Sequence, residues 1–251
     1  LRFQFLRQSL QNLKNNLQEL GADLDIQLGF PEEVLSDLAT RYNVDRIYCE
    51  QEYAYEELQL LAAVEKQLPP ECQLVSYWGK TLYHIDDIPY SISDIPKTSK
   101  AYRINTQKKA DVRPTFAKVL PFDTIDSYNY GDVPNEDLFE FPEKEQTMST
   151  FLPAGETAAL ERLQYYTFDS QLLTGYKWSR NKSLGMDYSS KLSPYLALGN
   201  LSPRTIYEKV KLYEQGVKKN TSTWWLIFEV VWNDSVIFWG VIFRSREIIV
   251  I

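Results

Sequence analysis

Apolar residues fall at Phe3, Leu6, Leu10, Leu13, Leu17 and Leu20, spacings of three and four that draw one stripe along a helix, which Gly21 closes. A short extended run follows over Leu24 to Leu28. Pro31, Glu32 and Glu33 then suit the first turn of a second helix reaching about Tyr42, the proline by its fixed φ and the acids by their place at the dipole's positive end. Val44 to Cys49 reads as a strand, Glu56 to Leu68 as an amphipathic helix, and Gln73 to Trp78 as a second strand before Gly79. Alternation of this kind predicts a parallel sheet with helices on its faces and a ligand near the carboxyl ends of the strands.

From Thr81 to about Leu152 the periodicity weakens, and Pro89, Pro96, Pro114, Pro121, Pro134, Pro142 and Pro153 punctuate acidic, aromatic stretches. The pattern predicts a long connector packed across a surface, with room for short helices. Helical spacing returns after Gly155, at Ala158, Leu160, Leu163 and Tyr166, and again over Leu192 to Leu198. Ser202 and Pro203 supply a cap and a first-turn proline for a helix over Arg204 to Gln215, and a last helix is expected from about Ser222 through Asp234. Val236 to Ile251 is β-branched and aromatic without polar alternation, agrees poorly with the helices before it, and would aggregate if exposed.

A chain of 251 residues with 44% hydrophobic and 24% charged content can bury a core. Its formal charge of -7 is unevenly spread: between Tyr176 and Asn220 stand nine lysines and arginines against Asp187, Glu208 and Glu214, a local positive zone that suits a polyanion. Cys49, Cys72 and His84 make no conventional zinc set, and two separated cysteines fit a reducing cytoplasm. Trp224 to Phe243 is strongly apolar, yet Glu229, Asn233 and Asp234 interrupt it where a membrane would charge about 2.5–3.5 kcal/mol for each ionised group. It is read as a buried helix, with no membrane partner.

The segment YKWSRNKSLGMDYSSKLSPYLALGN, residues 176–200, gathers glycines, small hydroxyls and cations at the entry to an apolar helix. Ser189, Ser190 and Lys191, just ahead of Ser193 and Pro194, suit the diphosphate of a large cofactor or a nucleic-acid phosphate.

With CEQEYAYEE, WGKTLYHIDDIPY, AGETAALERL, YKWSRN, DYSSKLSPYLALGNLSPRTIYEKVK and STWWLIFEVVW, the chain resembles the photolyase/cryptochrome flavoproteins, most closely their DASH branch, over nearly all of residues 1–235. The resemblance implies an α/β fold class: a partial parallel-sheet antenna domain over 1–80, a connector over 81–152, and the first part of an all-α FAD-binding domain, itself incomplete, over 153–251. It implies FAD held by Tyr176, Ser189, Ser190, Lys191, Leu192 and Ser193, and an antenna pterin, 5,10-methenyltetrahydrofolate, near Glu50, Gln51 and Glu52. It implies that Glu229 hydrogen-bonds a base of a lesion while Trp232 stacks on it, the two sharing a helix face three residues apart. The activity implied is light-driven repair of cyclobutane pyrimidine dimers in single-stranded DNA, or blue-light signalling.

The chain departs from the family pattern at Asn233, where an arginine is usual, and at Ser235, where an aromatic residue is usual. The family's opening strands and later helices, with the remaining FAD contacts, have no counterpart in it, so it reads as an internal piece with a tail such as a frameshift or truncation produces. Weak FAD binding, marginal stability and dependence on a complementary fragment are the corresponding expectations. The alternative is a catalytically inactive truncated remnant, or a nucleotide or nucleic-acid interaction module. No catalytic residue or metal ligand is assigned.

Overall fold

The computed structural model describes residues 2–117, 128, 130–134, 152–182 and 185–242. A small parallel two-stranded sheet is followed by a mostly helical region. The helices and strands in chain order are α1 (Arg2–Glu19), α2 (Pro31–Tyr42), β1 (Arg46–Glu50), α3 (Tyr55–Gln67), β2 (Gln73–Tyr77), α4 (Ser99–Lys109), α5 (Glu156–Gln164), α6 (Tyr176–Ser179), α7 (Ser193–Ala197), α8 (Pro203–Gly216) and α9 (Thr221–Ile242). Backbone contacts group them into two compact units, each discontinuous in sequence: residues 1–26 with 115–227, and residues 27–114 with 228–251.

In the second unit β1, α3 and β2 form the expected crossover, paired in parallel with Arg46 opposite Gln73 and Glu50 opposite Tyr77. Pro31 opens α2 with Glu32 and Glu33 in its first turn, and Asn43 ends it in the left-handed conformation at φ 49°. Ala39 is the buried residue of α2 and Val64 that of α3, and the Ser36 hydroxyl donates to the Gln67 carbonyl at 2.7 Å. Residues 81–114 go beyond surface packing: Leu82, Tyr83, Ile88, Ile95 and Tyr102 are buried, the last on α4.

In the first unit the leucine stripe of α1 is partly covered, with Phe3, Leu10, Leu17 and Leu20 half-buried. Leu6 and Leu13 are exposed, while Ser9 and Lys14 are buried because each finds polar partners. The Ser9 hydroxyl donates to Phe5 and accepts from Asn200; the Lys14 ammonium meets the carbonyls of Leu24 and Gly131 at 3.1 Å and the Asp23 carboxylate at 2.8 Å. The run Leu24 to Leu28 joins no strand; Asp25 within it accepts the Gly131 amide at 3.1 Å.

Helix α9 corrects the expected end at Asp234. It continues to Ile242, and Ile237, Phe238 and Val241 are buried in the second unit. Phe238 stacks on Trp78 with centroids 5.4 Å apart and lies tilted against Tyr102 at 5.7 Å. Burial overrides the weak helix propensity of its β-branched and aromatic residues. Residues 243–251 of the expected atypical tail lie outside the described residues. Among the described residues α9 alone has the length and apolarity to cross a membrane, and half of its apolar window is buried inside the fold. Its Asp234 is fully buried and accepts the amides of Leu82 at 2.9 Å and Tyr83 at 3.0 Å, so the acid inside the apolar run is satisfied by protein.

Candidate functional site

Helix α5 begins at Gly155, whose φ of 95° is easy only for glycine and whose missing Cβ would stand 2.5 Å from Asn12. Asn12 takes the place of a cap: its carbonyl oxygen accepts the Thr157 amide at 3.2 Å and its amide donates to the Thr157 hydroxyl at 3.0 Å. The helix then runs without interruption into a π-turn over Tyr165–Asp169. This places Arg162 beside Tyr165 and Tyr166, with the guanidinium 5.3 and 5.4 Å from the two ring centroids. Burial pushes the Tyr166 phenol up to about 12, so that ring is neutral under the cation.

The segment ahead of α7 is held from that guanidinium. Arg162 donates to the carbonyls of Met186 at 2.6 Å, Ser189 at 3.2 Å and Ser190 at 3.0 Å, and to the Asp187 carboxylate at 3.3 Å. Ser190 is buried, Lys191 takes φ 59°, Leu192 is buried at the start of the five-residue α7, and Ser193 is exposed. Tyr195 fixes the other end through its hydroxyl to the Pro153 carbonyl at 2.7 Å. Tyr176, buried on α6, meets Tyr166 edge-on at 6.2 Å, so Tyr176 and the 189–193 segment belong to one packed set through Tyr166 and Arg162.

The three acids of the positive zone are all engaged. Asp187 accepts from Arg162 and Tyr165, Glu208 from the Thr115 amide and hydroxyl, and Glu214 from Lys211 and Thr223. Among the described residues no carboxylate lies within ion-pair distance of Lys191. Ser189 and Ser193 stand two positions to either side of it in the chain, so the segment offers a cation and hydroxyl donors of the kind that could hold a phosphate.

The second unit holds the remaining predicted residues. At the carboxyl ends of the strands Glu50 accepts the Gly79 amide at 2.9 Å, the Gln51 side chain accepts from Ser76 at 2.7 Å, and Glu52 pairs with Lys80 at 2.7 Å. Lys80 also lies over the Tyr53 ring at 5.1 Å, so these three side chains fasten the turn leaving β2. On α9 Glu229 is half-buried and Trp232 is 48% exposed. The hydroxyl of Ser235, where an aromatic ring was expected, is buried and donates to the Trp232 carbonyl at 2.7 Å.

Two contributors escaped the sequence reading. Arg162 lay inside AGETAALERL with nothing to tell which carbonyls it would meet. Asp234 gave a signal, an acid in an apolar helix, which burial forces to find donors.

Comparison with known proteins supplies the kinship. The family model described as DNA photolyase matches residues 1–122. Cryptochrome DASH from Synechocystis sp. is 41% identical over 238 residues, covering 93% of this chain and 48% of the relative. Cryptochrome DASH from Gloeobacter violaceus is 38% identical over 93% of this chain and 47% of the relative. The crystal structure of the Synechocystis cryptochrome superposes with a TM-score of 0.86 at 40% identity, covering 96% of this chain and 51% of that one. A bacterial class III photolyase from Agrobacterium tumefaciens, at 21% identity and a TM-score of 0.72 over 97% of this chain and 50% of that one, shares the fold. The chain belongs to the DASH branch of the photolyase/cryptochrome family and spans about half the length of the relatives it matches.

Proposed function

We propose that this chain carries part of a flavin-dependent, light-driven protein of the cryptochrome DASH kind, acting on cyclobutane pyrimidine dimers in single-stranded DNA or in blue-light signalling. The observation that supports the reading most is the held segment at 186–193, with a cation and two hydroxyls on offer, in a chain of this kinship. Lys191 would neutralise the diphosphate of FAD, with Ser189, Ser190 and Ser193 near it, Leu192 anchoring the segment and Tyr176 closing the pocket wall. FAD held there would supply light-driven electron transfer to the dimer. Glu229 would accept a hydrogen bond from a base, and the exposed face of Trp232 would stack on an unpaired lesion, which costs less to seat than one still stacked in duplex. An antenna pterin is assigned to Glu50, Gln51 and Glu52, whose oxygens keep lone pairs beyond those already used.

Titration of FAD with the intact chain tests this. Saturable quenching of flavin fluorescence is expected, and Lys191→Ala should weaken it tenfold or more, since a charge-assisted hydrogen bond contributes about 1.5–3 kcal/mol. No saturable change with a folded sample would remove the flavin reading and leave an interaction module without light chemistry.

A further inference from the structure

We propose that Arg162 is the positioning residue of the anion-facing segment, shaping residues 186–191 before any ligand arrives. This rests on the flavin reading only for the identity of the ligand. The geometry is that of a fork used from three directions: Nε donates to the Ser190 carbonyl, Nη2 to the carbonyls of Met186 and Ser189, and Nη1 to the Asp187 carboxylate. The side chain is 10% exposed and lies against two tyrosine rings, so it has no freedom to follow a wandering loop.

The consequence runs through the peptide planes. In a trans peptide the N–H points opposite the C=O, and among the described residues there is no cis bond. With the carbonyls of 186, 189 and 190 turned toward the guanidinium, the amides of Asp187, Ser190 and Lys191 are turned away from it. The plane between Ser190 and Lys191 is thereby fixed at one end, and the buried Leu192 side chain fixes the chain at the other. Between them Lys191 adopts φ 59°, a left-handed conformation that a lysine keeps only where its surroundings impose it. The same clamp that strains Lys191 therefore presents its amide on the side away from Arg162. A lysine at 162 would keep the charge, but a compact ammonium cannot serve three carbonyls and a carboxylate from one plane.

The test uses the intact chain in three measurements. In nitrogen-15 NMR the Arg162 Nε–H should exchange at least tenfold more slowly than a free arginine side chain; free-arginine exchange would overturn the clamp without any variant. Trypsin should cut after Lys191 at least tenfold faster in Arg162→Lys and Arg162→Met, while Lys209 and Lys211 on α8 stay uncut. Equal cutting at Lys191 in all three proteins would overturn the proposal. Flavin titration separates the two claims. If wild type binds FAD, Arg162→Lys should bind at least tenfold more weakly, and equal binding with a loosened segment would refute the positioning role. If wild type binds no FAD, the flavin reading fails while the exchange and cleavage results still decide the clamp.

Discussion

Asp234 carries the clearest electrostatic consequence at the scale of single residues. Burial pushes its carboxyl up to about 8, with the amides of Tyr83 and Leu82 pulling the other way. An unfolded chain releases that proton near pH 4, so between about pH 4 and pH 8 the folded state holds a proton that the unfolded state has lost. Stability from this group is therefore complete below pH 4, declines as pH rises, and levels off above about 8. Asp23 and Asp87, held low by hydrogen bonds from Lys14 and Arg113, act below their ordinary range and leave that window clear. Asp234→Asn should flatten the slope between pH 5 and pH 8 in urea unfolding. It should also cost about 1–3 kcal/mol, because its amide turns a donor toward one of two backbone donors. An unchanged slope would show that another group sets it. Individual side chains were unevenly legible in the sequence: the cluster at 189–193 announces itself by composition, whereas the Arg162 contacts join residues more than twenty positions apart and leave no local mark.

Helix α9 shows what decides an element when propensity and burial disagree. Its second half reads as strand by residue type, yet Phe238 fills a fully buried slot between Trp78 and Tyr102, and Gly240 lets Tyr53 approach until an added Cβ would stand 2.5 Å from the ring. Phe238→Ala should cost about 3–5 kcal/mol and Gly240→Ala about 1–3 kcal/mol, the first by leaving a cavity and the second by overpacking, both measured by denaturant unfolding. A loss below 1 kcal/mol for Phe238→Ala would mean that the slot collapses without penalty. The contrast with α2 is instructive. Proline and two acids mark its first turn and Asn43 its end, all local signals, so its bounds are legible from sequence. The bounds of α9, and the burial of Ser9 and Lys14 on α1, depend on partners far along the chain.

At the scale of the whole molecule the division of contacts matters more than the order of elements. Residues 228–242 close the unit whose sheet lies at 46–77, so that sheet is completed by a segment more than 150 positions later. A parallel pair of strands is marginal by itself and is normally covered on its faces. Here Asp234 satisfies the Leu82 and Tyr83 amides just beyond β2, Phe238 covers Trp78, and the Trp239 indole donates to the Pro96 carbonyl at 2.9 Å. A chain stopped after Ile227 loses all three anchors at once. Hydrogen exchange should then speed at least tenfold at the ladder amides of 46–50 and 73–77, while the amides of α8, in the other unit, stay protected. Unchanged protection in the strands would mean that α2 and α3 alone support the sheet, and equal loss in α8 would mean that the two units unfold as one cooperative block.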